Sequence, residues 1–287
     1  MGVGCTVTAT GPESTIIVQR ALDEVAELEG LWSRFRADSD VSRLNNAGGR
    51  PVWVDRRTVL LLHHMVAAHT ATHRAFNPAL LPLQITAGDA DSLAAPGTTL
   101  IPADATSSAD VTGIVFHDDG RVSFPPGLVV DAGGIAKGLA ADLTVANARE
   151  SGAEGICVNI GGDMAIDTGD ETGWSVEILS PLTGDVQTTV HVARGGVATS
   201  AIRARHRDGR GIPSHIFSVD GAAPLDRVAG ATVLAATGAW AEAWTKAAIV
   251  GSTPEVIAAL ESHGLAGLIV LADGTVRTTS TWKDFIR

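Results

Sequence analysis

The chain has 287 residues, 45% hydrophobic and 18% charged, a length and balance that build a sizeable core and exclude a disordered chain. Its net charge of −11, from 21 basic against 32 acidic side chains, and the lack of any basic run argue against nucleic acid or an anionic membrane surface as partner. A small anionic ligand stays compatible, because backbone amides, a local cation or a metal can bind one without a basic surface.

Val3–Thr10 alternates and reads as a strand, closed by Gly11-Pro12, with Ser14 where a helix N-cap belongs. Ile17, Ala21, Leu22, Val25, Leu28, Leu31, Trp32 and Phe35 recur at helical spacing and predict a helix over roughly 15–36. The polar stretch RFRADSDVSRLNNAGG that follows reads as a solvated loop. Val52–Val54 predicts a short strand and Arg56–His73 a second amphipathic helix. On that helix His69 and His73 have the i, i+4 spacing of metal ligands, but no carboxylate flanks them, so they read as surface or partly buried histidines.

Two prolines in AFNPALLPL (Ala75–Leu83) predict a bent connection beside the core. Ala87–Ala109, rich in small and polar residues, reads as a loop, a boundary or a flap. HDDGR between Ile114–Phe116 and Val122–Phe124 is a hairpin signal. Farther on, Ile156–Ile160, Trp174–Leu179, Gln187–Ala193, Ala193–Thr199, Ser214–Val219 and Val228–Ala236 read as strands, with Arg203–Pro213 a basic loop. Ala239–Val250 predicts a helix, Thr253-Pro254 the start of another ending at Gly264, and Leu268–Leu271 with Val276–Thr279 a closing hairpin. Irregularly ordered strands with about five helices predict an α+β fold rather than a doubly wound sheet. Cys5 and Cys157 read as buried free thiols. With no basic n-region, no apolar h-region and no run of about 18 apolar residues, the expectation is a cytoplasmic protein without membrane insertion.

The stretch richest in chemistry is Val129–Ile166, which holds two glycine-rich turns read as facing one crevice. Asp131 ends a strand, Gly133-Gly134 and Lys137-Gly138 follow, and a helix starts at Ile135 or Lys137. Glycines admit a ligand close to the backbone, first-turn amides favour an anion, and Lys137 adds a point charge for phosphate. NIGGD (Asn159–Asp163) supplies Gly161 and Gly162, for which an ordinary hairpin turn is the plain alternative. Thr199 and Ser200 offer hydroxyls and amides to a phosphate, and His215 is a proton-transfer candidate. Glu242, Thr245 and Lys246 share a helix face. Glu242 and Lys246 form an i, i+4 pair worth about 0.2–0.5 kcal/mol, or else Glu242 and Thr245 offer oxygens to a hard cation.

In this order the groups resemble the FAD:protein FMN transferases, the ApbE family. The resemblance rests on SRFRADSDVSRLN, AFNPALLPL, VDAGGIAKGLAAD, VNIGGDMAI, ATS at Ala198–Ser200 and SHI at Ser214–Ile216, with AEAWTKAAIVG resembling the family's metal-binding helix. It implies one domain over 1–287 and Mg2+-dependent cleavage of FAD, with FMN passing to a Thr or Ser hydroxyl of a target flavoprotein and AMP released. FAD hydrolysis, or FAD binding without transfer, are the alternative activities. It further implies His215 as base and Asp131 against the adenosine. The Gly134 carbonyl, Glu242 and Thr245 would surround the metal, and Met1, Asn77, Gly88 and Asp89 would lie in the flavin pocket. The sequence departs from the family at four places: Glu242 stands for an aspartate, Lys246 for a hydroxyl residue next to Thr245, Asn77 for the aspartate of Phe-Asp-Pro, and Asp89 for an aromatic residue. The family's Gly-aromatic flavin contact aligns with Gly88-Asp89, and the chain has no tyrosine.

Overall fold

Period-2 and period-3.6 apolar patterns settle into strands and helices close to where the sequence puts them. The computed structural model describes residues 3–87, 99–202, 205–207, 210–212 and 228–286. β1 (Cys5–Thr10) leads into α1 (Ser14–Trp32), which buries Ile17, Ala21, Val25, Leu28 and Trp32 along one face. Ile17 N–H donates to the Glu13 carbonyl at 3.0 Å, so Ser14 lies inside the first turn rather than capping it. The helix stops short of residue 36 because side chains take its next carbonyls: the Ser39 hydroxyl donates to Ser33 O at 2.7 Å and the Ser42 hydroxyl to Arg34 O at 3.2 Å.

The stretch expected to be a solvated loop is instead ordered, with half of its residues buried. It contains α2 (Asp40–Asn45), capped by Ser39, whose hydroxyl accepts from Ser42 N–H at 3.1 Å. Asp40 is buried because its carboxylate accepts from Arg43, from Asp55 N–H and from the Thr58 hydroxyl, each at 2.8 Å. Beyond β2 (Val52–Trp53) comes α3 (Arg56–Ala71), capped by Asp55. His69 is buried, its Nδ1–H donating to Phe76 O at 2.9 Å, while His73 lies past the helix end. The proline segment is a 3-10 turn, Pro78–Leu80, running into α4 (Leu81–Thr86). β3 (Val115–Phe116) and β4 (Arg121–Ser123) form the expected hairpin, and β2 pairs with β4.

α5 (Ala136–Glu150) precedes β5 (Gly155–Ile160), β6 (Asp163–Asp167), β7 (Trp174–Leu179), β8 (Val186–Val192) and β9 (Arg194–Ala201). The basic stretch expected to be a loop contains a hairpin of β10 (Arg205–Arg207) and β11 (Arg210–Ile212), while the expected strand Ser214–Val219 lies outside the described residues. β12 (Val228–Ala235), α6 (Gly238–Val250), α7 (Thr253–Ser262), β13 (Ala266–Leu271) and β14 (Val276–Thr278) complete the chain, with a last 3-10 turn at Ser280–Phe285. Ser252 takes the cap position of α7, one residue before Thr253. Among the described residues there are seven α-helices where about five were expected.

Contacts divide the chain into two units. One is built chiefly on Ala26–Ala136 and holds the three-stranded sheet β2-β4-β3. The other comprises Gly4–Val25, Lys137–Arg203 and Pro224–Arg287. Its sheet has seven strands in the order β1-β5-β6-β9-β12-β13-β14, all pairs antiparallel, which makes the fold α+β. One face packs Ile166, Val197, Leu234 and Leu268 against Val176, Ile178, Val190 and Val192 of the β7–β8 hairpin and against Trp282. α6 packs against β9 and β12. Cover on both faces explains why β12 and β13 read as near-continuous apolar runs. Cys5 and Cys157 are free and half-buried, and burial pushes the Cys157 thiol up to about 11. Among the described residues no helix is long and apolar enough to cross a membrane.

Candidate functional site

Asp131 belongs to the first unit, and buried polar groups fix its backbone. The Asn45 amide pairs with Val130 as a neighbouring strand would, accepting from its N–H at 2.8 Å and donating to its carbonyl at 2.9 Å. Asp131 N–H donates to Pro78 O at 2.9 Å. The Asp131 Oδ1 accepts from Gly133 N–H at 3.1 Å and lies 3.5 Å from Arg34 Nε. Arg34 is itself buried, donates to the Thr99 hydroxyl at 3.0 Å and rests over the Phe35 ring. A Cβ on Gly133 would lie 3.2 Å from Asp131 Oδ2, so glycine lets the carboxylate fold back over the turn. Asn77 accepts from Ala79 N–H at 3.0 Å and caps the 3-10 turn.

In the second unit Lys137 and Gly138 meet Asp163 and Glu242. Lys137 stands in the first turn of α5, 2.9 Å from Asp163 Oδ2 and ion-paired with Glu242 Oε1. The Glu242 Oε2 accepts from Gly138 N–H at 2.8 Å. Lys246 Nζ, one turn along α6, lies 3.4 Å from Glu242 Oε1 and 3.4 Å from Thr245 Oγ1. The Thr245 hydroxyl donates to Glu242 O at 2.7 Å and shares a 2.8 Å hydrogen bond with Ser200. Two ammoniums and two carboxylates therefore sit together, none of the side chains more than 16% exposed.

Their electrostatics follow from burial set against pairing. Burial works against the Lys137 charge, yet Asp163 and Glu242 outweigh it and hold the ammonium above the usual lysine range. Burial also works against the Glu242 charge, and the two lysines with Gly138 N–H more than offset it, holding the carboxyl low. For Lys246 burial wins, and its pKa falls. Burial pushes the Asp163 carboxyl up to about 6 against the pull of Lys137. Its Oδ1 is buried without a hydrogen-bond partner among the described residues.

This arrangement changes several expected roles. The first-turn amide of Gly138, expected to meet an external anion, is satisfied by Glu242, because the positive helix end attracts an acid from within the chain. Lys137, expected to serve phosphate as a point charge, is bound to two carboxylates. Thr199 and Ser200 do not face one ligand, since adjacent residues of a strand point to opposite faces. Thr199 shares a 2.9 Å hydrogen bond with its cross-strand partner Thr232, while Ser200 meets Thr245 on α6. Gly161 and Gly162, with φ of +64° and +98°, form the two-residue turn of the β5–β6 hairpin, the plainer of the two readings. Gly134 belongs to the first unit, and Glu242 and Thr245 to the second. Met1, Gly88, Asp89 and His215 lie outside the described residues.

The implied Mg2+ does not fit the oxygens offered to it. Both carboxylate oxygens of Glu242 accept from donors, and the Thr245 hydroxyl is committed to Glu242 O, Ser200 and Lys246. Magnesium requires near-octahedral oxygen at about 2.1 Å, and here an ammonium occupies the approach to both side chains.

Two glycines bring α5 and α6 together. A Cβ on Gly138 would fall 2.2 Å from Gly238 O, and one on Gly238 would fall 2.9 Å from Gly138 O. Asp142, on α5, accepts from Gly238 N–H at 2.6 Å and Ala239 N–H at 2.9 Å. Each helix thus caps the start of the other, through Glu242 in one direction and Asp142 in the opposite one. Sequence reasoning gave no role to Asp142, Asp163, Arg34 or Asn45. The repeated spacing Gly138-x-x-x-Asp142 and Gly238-x-x-x-Glu242 was a readable signal for the first.

The antiparallel seven-stranded sheet with its flanking helices defines a known class of fold. The ApbE protein of Thermotoga maritima superposes with a TM-score of 0.84 at 25% identity, over 98% of this chain and 94% of that one. The flavin transferase ApbE of Vibrio cholerae shares the fold with a TM-score of 0.81 at 23% identity, over 100% and 96%. Residues 1–270 match the ApbE family, and the chain belongs to it. A curated relative, the FAD:protein FMN transferase of Treponema pallidum (strain Nichols), is 27% identical over 315 aligned positions, covering all of this chain and 87% of the relative.

Proposed function

We propose that the protein transfers FMN from FAD to a Thr or Ser hydroxyl of a target flavoprotein and releases AMP. Beyond family membership, the observation that carries the reading is the Lys137–Asp163 pair, which ties the DAGGIAKG and NIGGD turns into one charged group. In this reading the acceptor oxygen bonds to the FMN phosphorus, the phosphoanhydride bond breaks, and the electron pair leaves on AMP. The hydroxyl proton goes to His215, the proton acceptor of the family motif. Asp131, an acceptor-only carboxylate oriented by Arg34 and Gly133, takes hydrogen bonds from the adenosine. Developing negative charge on the phosphate oxygens is met by a lysine ammonium.

The test is incubation with FAD and a flavoprotein domain carrying an acceptor threonine, read by mass spectrometry. The expected result is one FMN added to the domain and AMP released in equal amount, with His215→Ala binding FAD but forming no adduct. AMP without adduct across several acceptor domains would assign water as the acceptor. Bound FAD with neither product would leave a flavin-binding protein.

A further inference from the structure

The family resemblance puts a second hydroxyl residue of the metal-binding helix where this chain has Lys246, and the structure shows what the lysine does there. Its ammonium lies at 3.4 Å from both Glu242 Oε1 and Thr245 Oγ1, the two side chains a metal would need. We propose that Lys246 is a built-in replacement for the divalent cation: it closes the Glu242–Thr245 position to Mg2+ and supplies the positive charge that the FAD diphosphate requires. The second half of this inference rests on the transferase reading above; the first half does not.

Charge and valence both support it. With Lys137, Lys246, Asp163 and Glu242 ionised, the buried group is neutral, so in the protein without FAD an added divalent cation would leave two uncompensated charges in a poorly solvated place. Thr245 has no lone pair left: its O–H donates to Glu242 O, and it accepts from Ser200 and Lys246. The Asp163 Oδ1 is the one carboxylate oxygen of the group without a partner among the described residues, and a single oxygen does not make a magnesium site. The two lysines also differ. Lys137 is held by two carboxylates at short range. Lys246 makes two long hydrogen bonds with three N–H donors and is 16% exposed, so it retains capacity for a phosphate oxygen.

Transfer then balances without a metal. The acceptor O–P bond forms, the bond to the AMP oxygen breaks, and the hydroxyl proton ends on the base. Lys246 offsets the charge on the phosphate oxygens without changing its own protonation.

Two measurements on the full chain test the two halves. The first is calorimetric titration of MgCl2, and separately MnCl2, into the wild-type protein, Lys246→Thr and Lys246→Met, with melting curves alongside. Wild type is expected to show no saturable heat and no metal-induced rise in Tm. Lys246→Thr, which restores a hydroxyl, gains both, and Lys246→Met, which restores none, gains neither. Saturable binding to wild type that disappears in Glu242→Gln would overturn the exclusion of metal, whether or not any transfer is ever seen. The second is FMN transfer with excess EDTA. Wild type should change by less than about twofold, while Lys246→Thr should lose at least about tenfold and recover on adding Mg2+. Wild-type transfer abolished by EDTA and restored by Mg2+ would overturn the charge role. No transfer under any condition would instead refute the transferase reading and leave the calorimetric result standing.

Discussion

Asp131 and Asp163 each belong to a glycine motif, and the two acids are used in opposite ways. The Asp131 side chain is 19% exposed, folded over Gly133 and faced by a buried arginine, so it is presented outward in a fixed orientation. Asp163 is 3% exposed, paired with Lys137 and pushed up by burial, so its charge serves the interior. The difference lies in what surrounds the motif, since both sit beside paired glycines. Glycine pairs mark where the chain bends, and the environment decides whether the adjacent acid stays partly exposed or is buried against a lysine.

The comparison breaks most sharply at Lys137. Lys137→Met would leave Asp163 and Glu242 buried with the loosely held Lys246 as their one cation among the described residues, and removing one partner of a buried pair costs about 3–5 kcal/mol. Urea unfolding should show that loss; a change below about 1 kcal/mol would mean the carboxylates protonate at little cost and the group is not a structural unit. The complementary change, Asp131→Asn, should cost about 1 kcal/mol of stability yet weaken FAD binding about tenfold, read by flavin fluorescence titration. A large stability loss with unchanged affinity would make Asp131 an interior acid like Asp163.

A finer contrast concerns Asp142, whose carboxyl burial pushes up to about 6 from 3.8 despite the amides of Ala239 and Gly238. A carboxyl raised in the folded state contributes stability below the unfolded pKa and loses it as pH rises through the folded one. Raising pH from about 4 to 7 should therefore remove about 2 kcal/mol attributable to this group, and Asp142→Asn should flatten that slope in unfolding curves. An unchanged slope would assign the pH dependence elsewhere.

Much of the fold was legible because its strands alternate and its helices carry apolar stripes. The β3–β4 and β13–β14 hairpins announced themselves through Asp-Gly turns. The segment around α2 was not legible, because composition records polarity and not whether the polar groups are satisfied. Ser39, Asp40, Ser42 and Asn45 are polar and buried, each with partners supplied by the fold. Thr199-Ser200 misled for a geometric reason: adjacency in sequence suggests a shared target, while a strand separates the two hydroxyls across the sheet. Lys137 and Glu242 are 105 residues apart, and nothing local foretold that the helix start between two glycine turns would be satisfied by an internal acid.

The mutual capping of α5 and α6 has a consequence for how this part of the molecule comes apart. Glu242 holds Gly138 N–H and Asp142 holds Gly238 N–H, so neither helix can fray at its start without stripping the other of an acid. The two ends thus behave as one cooperative unit with a single opening free energy rather than two. Lys137 and Lys246 ride on those same helices, so their charges are held in place for as long as that unit stays closed.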